Sequence, residues 1–475
     1  ISSIATTITT DHLTTLSKLD SNHMTTFASD GVANMDNFAA RVDVTSAMLG
    51  SSIDTIDTTN LSTVVEHLHA SLDGDSLTAL KSLEKTHMST LSTGIDITSS
   101  FDASTLKQSV KKFATKAEVT VEFAKVAAGG ADLSGVDLAA VATNIHSNLD
   151  DDHLTALQQL DPTHLATMAT GTDLTASGVD VAGKLKHFAT KAEVVVEFAK
   201  VSVGTSTADA SGNIDFSSIS IGDFVTNIHT NLDEDHTTAL ANLDPSHMAT
   251  MAAGTDLTAG LQADDLSHFA TKGELASVYV DAGGASVDIA SIVTTIHTTV
   301  TVEFTTSLKE FDPSHMTTMV SGGDISAVAT IGHKAKVAHA YKDNGGSVAD
   351  ILTNVANIST ADLLHFAELD HTSLKSLAAS VDIAKVHEDA AHKAKAVAGG
   401  YTLNEAIALE GDALAAVGTS TKDELVAAKA SGKSLTDHAN EAHGASQVQD
   451  ASTLVTNLPG NRHSGFQAAL ESAVT

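Results

Sequence analysis

The apolar and polar positions of residues 111–171 follow helical spacing and predict four successive helices. The first helix, residues 111–128, has one polar face at intervals of three or four residues, which comprises Lys111, Thr115, Glu118, Glu122 and Lys125. The valines near its centre would also suit a strand, but the length of the polar face favours a helix. The matching segments 333–342 and 387–397 have clear helical patterns, and Gly129 with Gly130 ends the helix.

The next three predicted helices are shorter and are separated by turns. The second covers residues 136–149, and its apolar stripe comprises Leu138, Ala142, Ile145 and Leu149. Asp152 is predicted to cap the third helix, whose apolar face comprises Leu154, Leu157 and Leu160. Asp161 is the predicted N-cap of the fourth helix, because Pro162 disfavours helix before it and suits the first helical position. Gly171 ends this helix.

The same motifs return along the chain, which is the signature of an internal repeat. Residues 113–126 return as residues 188–201 with a single change, Thr120 to Val195. An Asp-Pro-x-His-x-x-Thr-Met motif begins at residues 161, 244 and 312. Its histidine position recurs at irregular intervals as His23, His87, His164, His247 and His315. These patterns predict an all-α fold: an irregular tandem array of short-helix repeat units with about four helices per unit.

The repeat motifs also predict the boundaries of the units. We expect a partial unit at 1–30, units at 31–94, 95–171, 172–254 and 255–322, a degenerate unit at 323–400 and a C-terminal cap region at 401–475. The chain begins at Ile1 inside the partial unit, from which we expect either that a leader has been removed or that the visible chain starts late.

Charge and composition exclude several classes of function. The formal net charge of −33 repels phosphate, so nucleic acid and anionic membranes are poor partners. The absence of cysteine excludes disulfides, thiolate metal sites and iron–sulfur clusters. No apolar run approaches the ~20 residues of a transmembrane helix. An acidic surface rich in Ser and Thr is typical of exported proteins, and we expect an extracellular or cell-surface location.

Histidine is the residue type with the strongest functional signal, because several of the 24 histidines recur at three positions of the unit. The first position, on the second helix, comprises His69, His146, His229 and His297. The second position, at the start of the third helix, includes His153 and His236. The third position, on the fourth helix, includes His164, His247 and His315. These nine residues are the candidate cofactor ligands.

The third position has two interpretations. As the third residue of a capped helix, a neutral imidazole takes the place of the glutamate in a capping box. Alternatively, His164 and Met168 lie four residues apart on one helix face, and His–Met pairs can bind copper or act as axial ligands of haem. In other units Leu91 and Phe27 replace this methionine, which favours packing over sulfur ligation. A single histidine per unit would still suffice to ligate haem or a chlorophyll-like tetrapyrrole.

The acidic turns before the third helix are candidate calcium ligands: Asp150, Asp152, Asp233 and Asp235. They lack the spaced loop of an EF-hand, so either a loose Ca²⁺ site or ordinary solvated carboxylates fit the pattern. The sequence has no glycine-rich phosphate loop and no His-Glu-x-x-His motif, so we do not expect an enzyme. We expect a non-enzymatic structural protein that self-assembles into a surface layer, filament or scaffold. The alternative is a carrier of several His-ligated cofactors.

Overall fold

The computed structural model describes residues 7–29, 35–95, 97, 101–172, 179–204, 214–257, 260–283, 288–320 and 328–456. These residues form 27 α-helices, with short 3₁₀ and π segments and no strand among them. The prediction of an all-α fold is therefore confirmed. The chain divides into two compact units, residues 1–273 and 274–475. The boundaries predicted at 30/31 and 322/323, and residues 457–475 of the predicted cap, lie outside the described residues.

The helices of the first unit are α1 Thr10–Leu16, α2 Ser21–Phe27, α3 Met35–Leu49, α4 Thr58–Ser71, α5 Gly74–Leu80, α6 Lys85–Ser92, α7 Ala103–Ala128, α8 Leu138–Asn148, α9 Asp151–Leu157, α10 Pro162–Ala169, α11 Val181–Val203, α12 Ile221–Asn231, α13 Glu234–Leu240 and α14 Pro245–Ala252. Helix α15, Ala263–Gly283, begins in this unit.

The helices that lie wholly in the second unit are α16 Ile289–Thr299, α17 Val302–Leu308, α18 Pro313–Val320, α19 Val328–Asp343, α20 Val348–Ala356, α21 Thr360–Ala367, α22 His371–Ser380, α23 Ala391–Ala398, α24 Leu403–Ile407, α25 Gly411–Thr419, α26 Lys422–Ala430 and α27 Leu435–Thr456. A π-helical turn, Val386–Ala390, leads directly into α23.

A long helix followed by three shorter ones is the recurring order of elements, and we call this set of four a quartet. The quartets of the first unit are α3–α6, α7–α10 and α11–α14, and α19–α22 is a quartet of the second. Helix α7 starts at Ala103, earlier than the predicted residue 111, and ends as predicted at Gly129, whose φ of 67° is left-handed. With the π-helical turn before it, α23 forms a continuous segment, 386–398, that is longer than each of the three helices α24–α26 that follow, so the order repeats across residues 400 and 401, where a cap was predicted to begin.

Each long helix packs against its own quartet and against the quartet before it. In the first unit, α7 contacts α8, α9 and α10 and also α4 and α5, while α11 contacts α12, α13 and α14 and also α8 and α9. The fourth helix of a quartet contacts the second helix of the next, as α6 contacts α8 and α10 contacts α12. In the second unit, α19 has the same relations with α20–α22 and with α16 and α17.

Phenylalanine pairs join successive long helices of the first unit. The rings of Phe123 on α7 and Phe188 on α11 meet edge to face with centroids 4.6 Å apart. Phe198 on α11 and Phe269 on α15 repeat this contact at 4.9 Å. Such pairs add about 0.5–1.5 kcal/mol beyond the burial of their area. The remaining core is built mainly from Ala, Val and Leu, which allows close approach of the short helices.

Lysines on the long helices donate to backbone carbonyls at the carboxyl ends of short helices. The last carbonyls of a helix lack partners within it and carry the negative end of its dipole, so an ammonium group stabilises them. The lysines and their carbonyls are Lys191 and His229 (3.2 Å), Lys334 and Ala356 (3.2 Å), Lys336 and Leu369 (3.2 Å), Lys393 and Ile407 (3.0 Å), and Lys395 and Gly418 (2.7 Å). Lysines of the long helices therefore cap the carboxyl ends of the short helices that pack on them.

Glycine at position 332 of α19 is required by the approach of α17. A methyl group at Gly332 would overlap the ring of Phe304 on α17, whereas Gly444 on α27 faces open space. We predict that Gly332→Ala lowers the free energy of unfolding by about 1–3 kcal/mol through overpacking. Gly444→Ala is the matched control and should be neutral or stabilising by up to ~1 kcal/mol. Urea unfolding followed by circular dichroism measures both, and equal midpoints for the two variants would contradict the prediction.

Candidate functional site

The histidine of the third recurring position caps the fourth helix of its quartet. At α10 the carboxylate of Asp161 accepts the backbone N–H of His164 (3.0 Å), and Nδ1 of His164 accepts the backbone N–H of Asp161 (3.4 Å). This reciprocal arrangement is a capping box with imidazole in place of glutamate. At α18 the backbone N–H of His315 likewise donates to Asp312 (3.0 Å). Further complete boxes are Asp20–His23 and Asp244–His247.

The second ring nitrogen of these histidines faces the second helix of the next quartet. Nε2 of His23 lies 2.7 Å from the hydroxyl oxygen of Ser62 on α4. A Cβ atom on Gly222 of α12 would lie 3.6 Å from Nε2 of His164. One imidazole thus caps its own helix and contacts the neighbouring quartet, and both uses are structural.

The histidine of the second recurring position caps the third helix in the same way. At α9 the carboxylate of Asp150 accepts the backbone N–H of His153 (3.0 Å), and Nδ1 of His153 accepts that of Asp150 (3.4 Å). His236 and Asp233 form the same box at α13. The prediction that Asp152 caps α9 is wrong, because the box requires His153 at the third helical position and so places the cap at Asp150.

The residue at this second position also faces the long helix of the next quartet, and we call the two side chains an inter-quartet pair. Three pairs of the first unit join it to a carboxylate: His12 with Asp43 (2.9 Å), Ser76 with Glu118 (2.7 Å) and His153 with Glu193 (3.9 Å). In the second unit the position is Phe304, whose ring meets that of His333 edge to face at 5.0 Å and covers Gly332. The partner on the long helix therefore changes with the residue that faces it.

Burial raises the pKa of two of these carboxyl groups into the neutral range. Burial raises the pKa of Glu193 to about 8, and the carboxylates of Asp150 and Asp152 add to the shift. Burial also raises the pKa of Glu118 to about 7, although the hydrogen bond from Ser76 opposes it. Burial lowers the pKa of His153. The His153–Glu193 pair is consequently neutral on both sides at neutral pH, which avoids buried charge.

The histidines of the first recurring position lie in the last turn of the second helix, beside a lysine of the long helix. Nδ1 of His146 lies 3.4 Å from the ammonium nitrogen of Lys116. Lys191 donates to the backbone carbonyl of His229. Burial, and then the nearby lysine, lowers the pKa of both imidazoles, which favours the neutral form of each ring. The same place on α4 and α16 is occupied by His69 and His297.

The four acidic candidates for calcium divide into caps and exposed residues of the first turn. Asp150 and Asp233 are the N-caps of α9 and α13. Asp152 and Asp235 lie in the first turns of these helices and are exposed. Among the described residues, none of the four lies in a group of three side chains close enough to ligate one ion.

The nine candidate histidines are likewise not brought together. In the described part of the chain, the group with three potential ligands close to one another comprises His339, Asp343 and His371 instead. His339 and Asp343 lie four residues apart on α19, which is a signal that sequence reasoning passed over because it followed the three recurring histidine positions. His371 is the first residue of α22, and only the packing of the two helices brings it near.

The titration of this second-unit cluster favours a neutral ring beside an ionised carboxylate. Burial lowers the pKa of the His339 imidazole, and the neighbouring imidazole of His371 lowers it further. A hydrogen bond from His371 holds the pKa of Asp343 below its usual value. Lys375 also contributes to this depression through its own hydrogen bond to Asp343.

Five open grooves, with volumes from 180 to 860 Å³, occur among the described residues. None of these five is lined by any of the nine candidate histidines. A tetrapyrrole needs an apolar cleft with an imidazole directed into it. The candidate histidines instead occupy helix ends and contacts between helices.

Comparison with known proteins gives no match: no protein-family model, curated protein or solved structure resembles this chain. No helix in the described ranges combines the length and the apolar character that crossing a membrane requires. The chemistry of the recurring residues themselves is therefore what points to a function.

The capping role of His164 separates its substitutions by their hydrogen-bonding capacity. We predict that His164→Gln keeps the start of α10, because glutamine also accepts the N–H of the N-cap residue, whereas His164→Leu does not. Asp161→Ala should lower the free energy of unfolding by about 1 kcal/mol. Hydrogen exchange of the first turn of α10, together with urea unfolding, measures these effects. Equal protection in the Gln and Leu variants would show that the ring nitrogen has no capping role.

The raised pKa of Glu193 predicts a loss of stability as the pH rises. The unfolded chain releases this proton near the ordinary glutamate pKa of 4.5 and the folded chain near 8, so the folded state is progressively destabilised as the pH rises between those values. We expect Glu193→Gln to remove this part of the pH dependence and to stabilise the protein above about pH 8. The control is Glu66→Gln on α4, an exposed site. Urea midpoints across the range test it, and parallel profiles for wild type and Glu193→Gln would refute it.

Proposed function

We propose that this chain is a non-enzymatic structural protein, an irregular tandem array of four-helix units that is exported and assembles with copies of itself into a surface layer, filament or scaffold. The observation that carries the proposal is the contact scheme between quartets. Within each unit, long helices rest on the second and third helices of the preceding set, and the fourth helices α6, α10 and α18 meet the second helix of the next set. Head-to-tail contacts that do not close into a ring can continue from one copy of a chain to the next.

The use of the recurring polar residues supports a structural role. Histidines of the second and third positions give one ring nitrogen to a helix cap, and several direct the other toward the next quartet. Lysines of the long helices donate hydrogen bonds to backbone carbonyl groups at helix ends. Side chains that satisfy buried backbone groups stabilise the array, and substitution leaves those groups unpaired. Their recurrence is accounted for without a ligand.

Export is supported by composition. The chain has no cysteine, and its acidic surface is rich in Ser and Thr.

A net charge of −33 makes copies repel each other in dilute salt. The large exposed apolar side chains among the described residues are few and scattered, namely Leu13, Val302, Leu364 and Val426. Association would therefore depend on polar contacts and on screening of charge rather than on an apolar patch.

A carrier of several His-ligated cofactors is the alternative, and it has less support. In the second- and third-position histidines Nδ1 takes part in the helix cap, so a ligand would have to bind Nε2. In His153, Nε2 faces a buried carboxyl group. Ligation of haem or another tetrapyrrole at such a position would require the inter-quartet contact to open. A strong visible absorption band in protein from its native source, in proportion to the number of units, would favour this alternative.

The proposal predicts salt-dependent self-association. As sodium chloride rises from about 10 mM to about 1 M, the Debye length falls from about 30 Å to about 3 Å, so repulsion between copies weakens. We expect sedimentation to show species well above the monomer mass of 48.7 kDa at high salt, with elongated or sheet-like particles in electron micrographs. The native protein should fractionate with the cell surface or medium and should be colourless. A monomer at every salt concentration and at high protein concentration would overturn the assembly.

A further inference from the structure

Two helices of the second unit place two imidazoles and a carboxylate around one point. Nε2 of His339 lies 3.6 Å from Oδ1 of Asp343, and Nε2 of His371 lies 3.1 Å from Oδ2 of the same residue. One potential ligand atom from each of the three residues lies within 4.8 Å of the other two. Around a tetrahedral zinc ion neighbouring ligand atoms are about 3.3 Å apart, so side-chain adjustments of about 1 Å bring the three into bonding range.

The frame that carries the cluster is rigid on one side and adjustable on the other. Helices α19 and α22 pack against each other directly. The side-chain amide of Asn344 donates to the backbone carbonyls of both Ala340 and Lys375 at 2.9 Å. These two bonds hold the end of α19 against α22 beside the cluster. The His339 side chain is 14% exposed, whereas that of His371 is 40% exposed. His371 is therefore free to make the adjustment.

The hydrogen bonding of the cluster is incomplete without a further partner. Nδ1 of His339 is buried and has no hydrogen-bond partner. Its Nε2 has only the carboxylate of Asp343, at a distance too long for a strong hydrogen bond. The rings of His339 and His371 lie with centroids 4.4 Å apart, and Nε2 of each faces the carboxylate of Asp343.

We propose that His339, Asp343 and His371 bind a divalent transition-metal ion of the zinc class. Two imidazoles and one carboxylate form a ligand set for Zn²⁺ and its first-row neighbours, with the remaining positions open to water. Calcium prefers six to eight oxygen ligands, which this cluster does not offer. The site lies on the exposed side of α19 and α22, so an ion reaches it without unfolding. The inference is independent of self-assembly, because zinc binding by one chain is measured in the monomer.

Lys375 is a competitor of the ion. Its ammonium nitrogen lies 3.2 Å from Oδ2 of Asp343, and the Lys375 side chain is 48% exposed. Because this group is exposed and its side chain is flexible, the ion displaces it into solvent. Removal of the ammonium charge should therefore strengthen metal binding, whereas removal of a ligand should weaken it. Opposite effects of neighbouring substitutions are the signature of a specific site.

The test is calorimetric titration of the full chain with ZnCl₂, with visible absorption of bound Co²⁺ as a second readout. We expect His371→Ala and Asp343→Asn to weaken the tightest Zn²⁺ site by more than the 10–100-fold that changes outside the ligand shell produce. Lys375→Ala should tighten it about fivefold. His365→Ala on α21 removes a partly buried histidine outside the cluster and should leave it unchanged.

Identical titrations of wild type, His371→Ala and Asp343→Asn would overturn the proposal, because the Zn²⁺ would then be bound by other histidines. Circular dichroism and urea midpoints establish that each variant is folded. If a ligand variant does not fold, Lys375→Ala decides the matter, since it removes an exposed side chain that is not a ligand. Unchanged Zn²⁺ affinity in that variant would equally contradict the site.

Discussion

The structure depends on how very short helices satisfy their own ends. Helices α9 and α13 have seven residues each, and the first four N–H groups of any α-helix have no partner within it. The fourth amide of each helix already donates to the carbonyl of the N-cap residue, so the first three amides and that of the N-cap residue need a partner from outside. The Asp–His box supplies an acceptor to the third amide and to the N-cap amide at once. Alone in water, helices of this length have too few internal hydrogen bonds to offset the cost of nucleation, so caps and packing on the long helix together stabilise them.

The boxes fix more than the helix start, because they fix the direction of the imidazole. Once Nδ1 of His153 accepts the N–H of Asp150, its Nε2 must point away from α9 and toward the long helix α11. The neighbouring quartet then has to present a compatible group. Glu193 does so as a neutral acid, since burial raises its pKa. At the opposite ends of the short helices, lysines of the long helices serve the carbonyls. The same side chains therefore cap the short helices and determine how neighbouring quartets pack.

Local chemistry explains which features the sequence could predict. Pro162 excludes helix before it and Asp161 is a strong cap, so the start of α10 follows from two adjacent residues. At α9 three successive acids compete for the cap, and only the hydrogen bond from the Asp150 amide to the His153 ring decides among them. The cluster of His339 and His371 depends on the approach of α19 and α22, and no local pattern encodes that contact. The burial of Glu193 also results from tertiary packing. In the sequence this residue lies on a polar face of α11 like the one that predicts α7, and that pattern does not indicate burial.

The inter-quartet pairs have a consequence for the order of the quartets. The facing positions hold His12 and Asp43 in one interface and Phe304 and Gly332 in another. A phenylalanine placed opposite a carboxylate would bury that group without a partner, and a histidine opposite Gly332 would leave a gap and an unpaired ring nitrogen. Mismatched neighbours are therefore penalised although their helices have the same order. Repeated helices favour many alternative pairings, and differences at one facing position are enough to select among them.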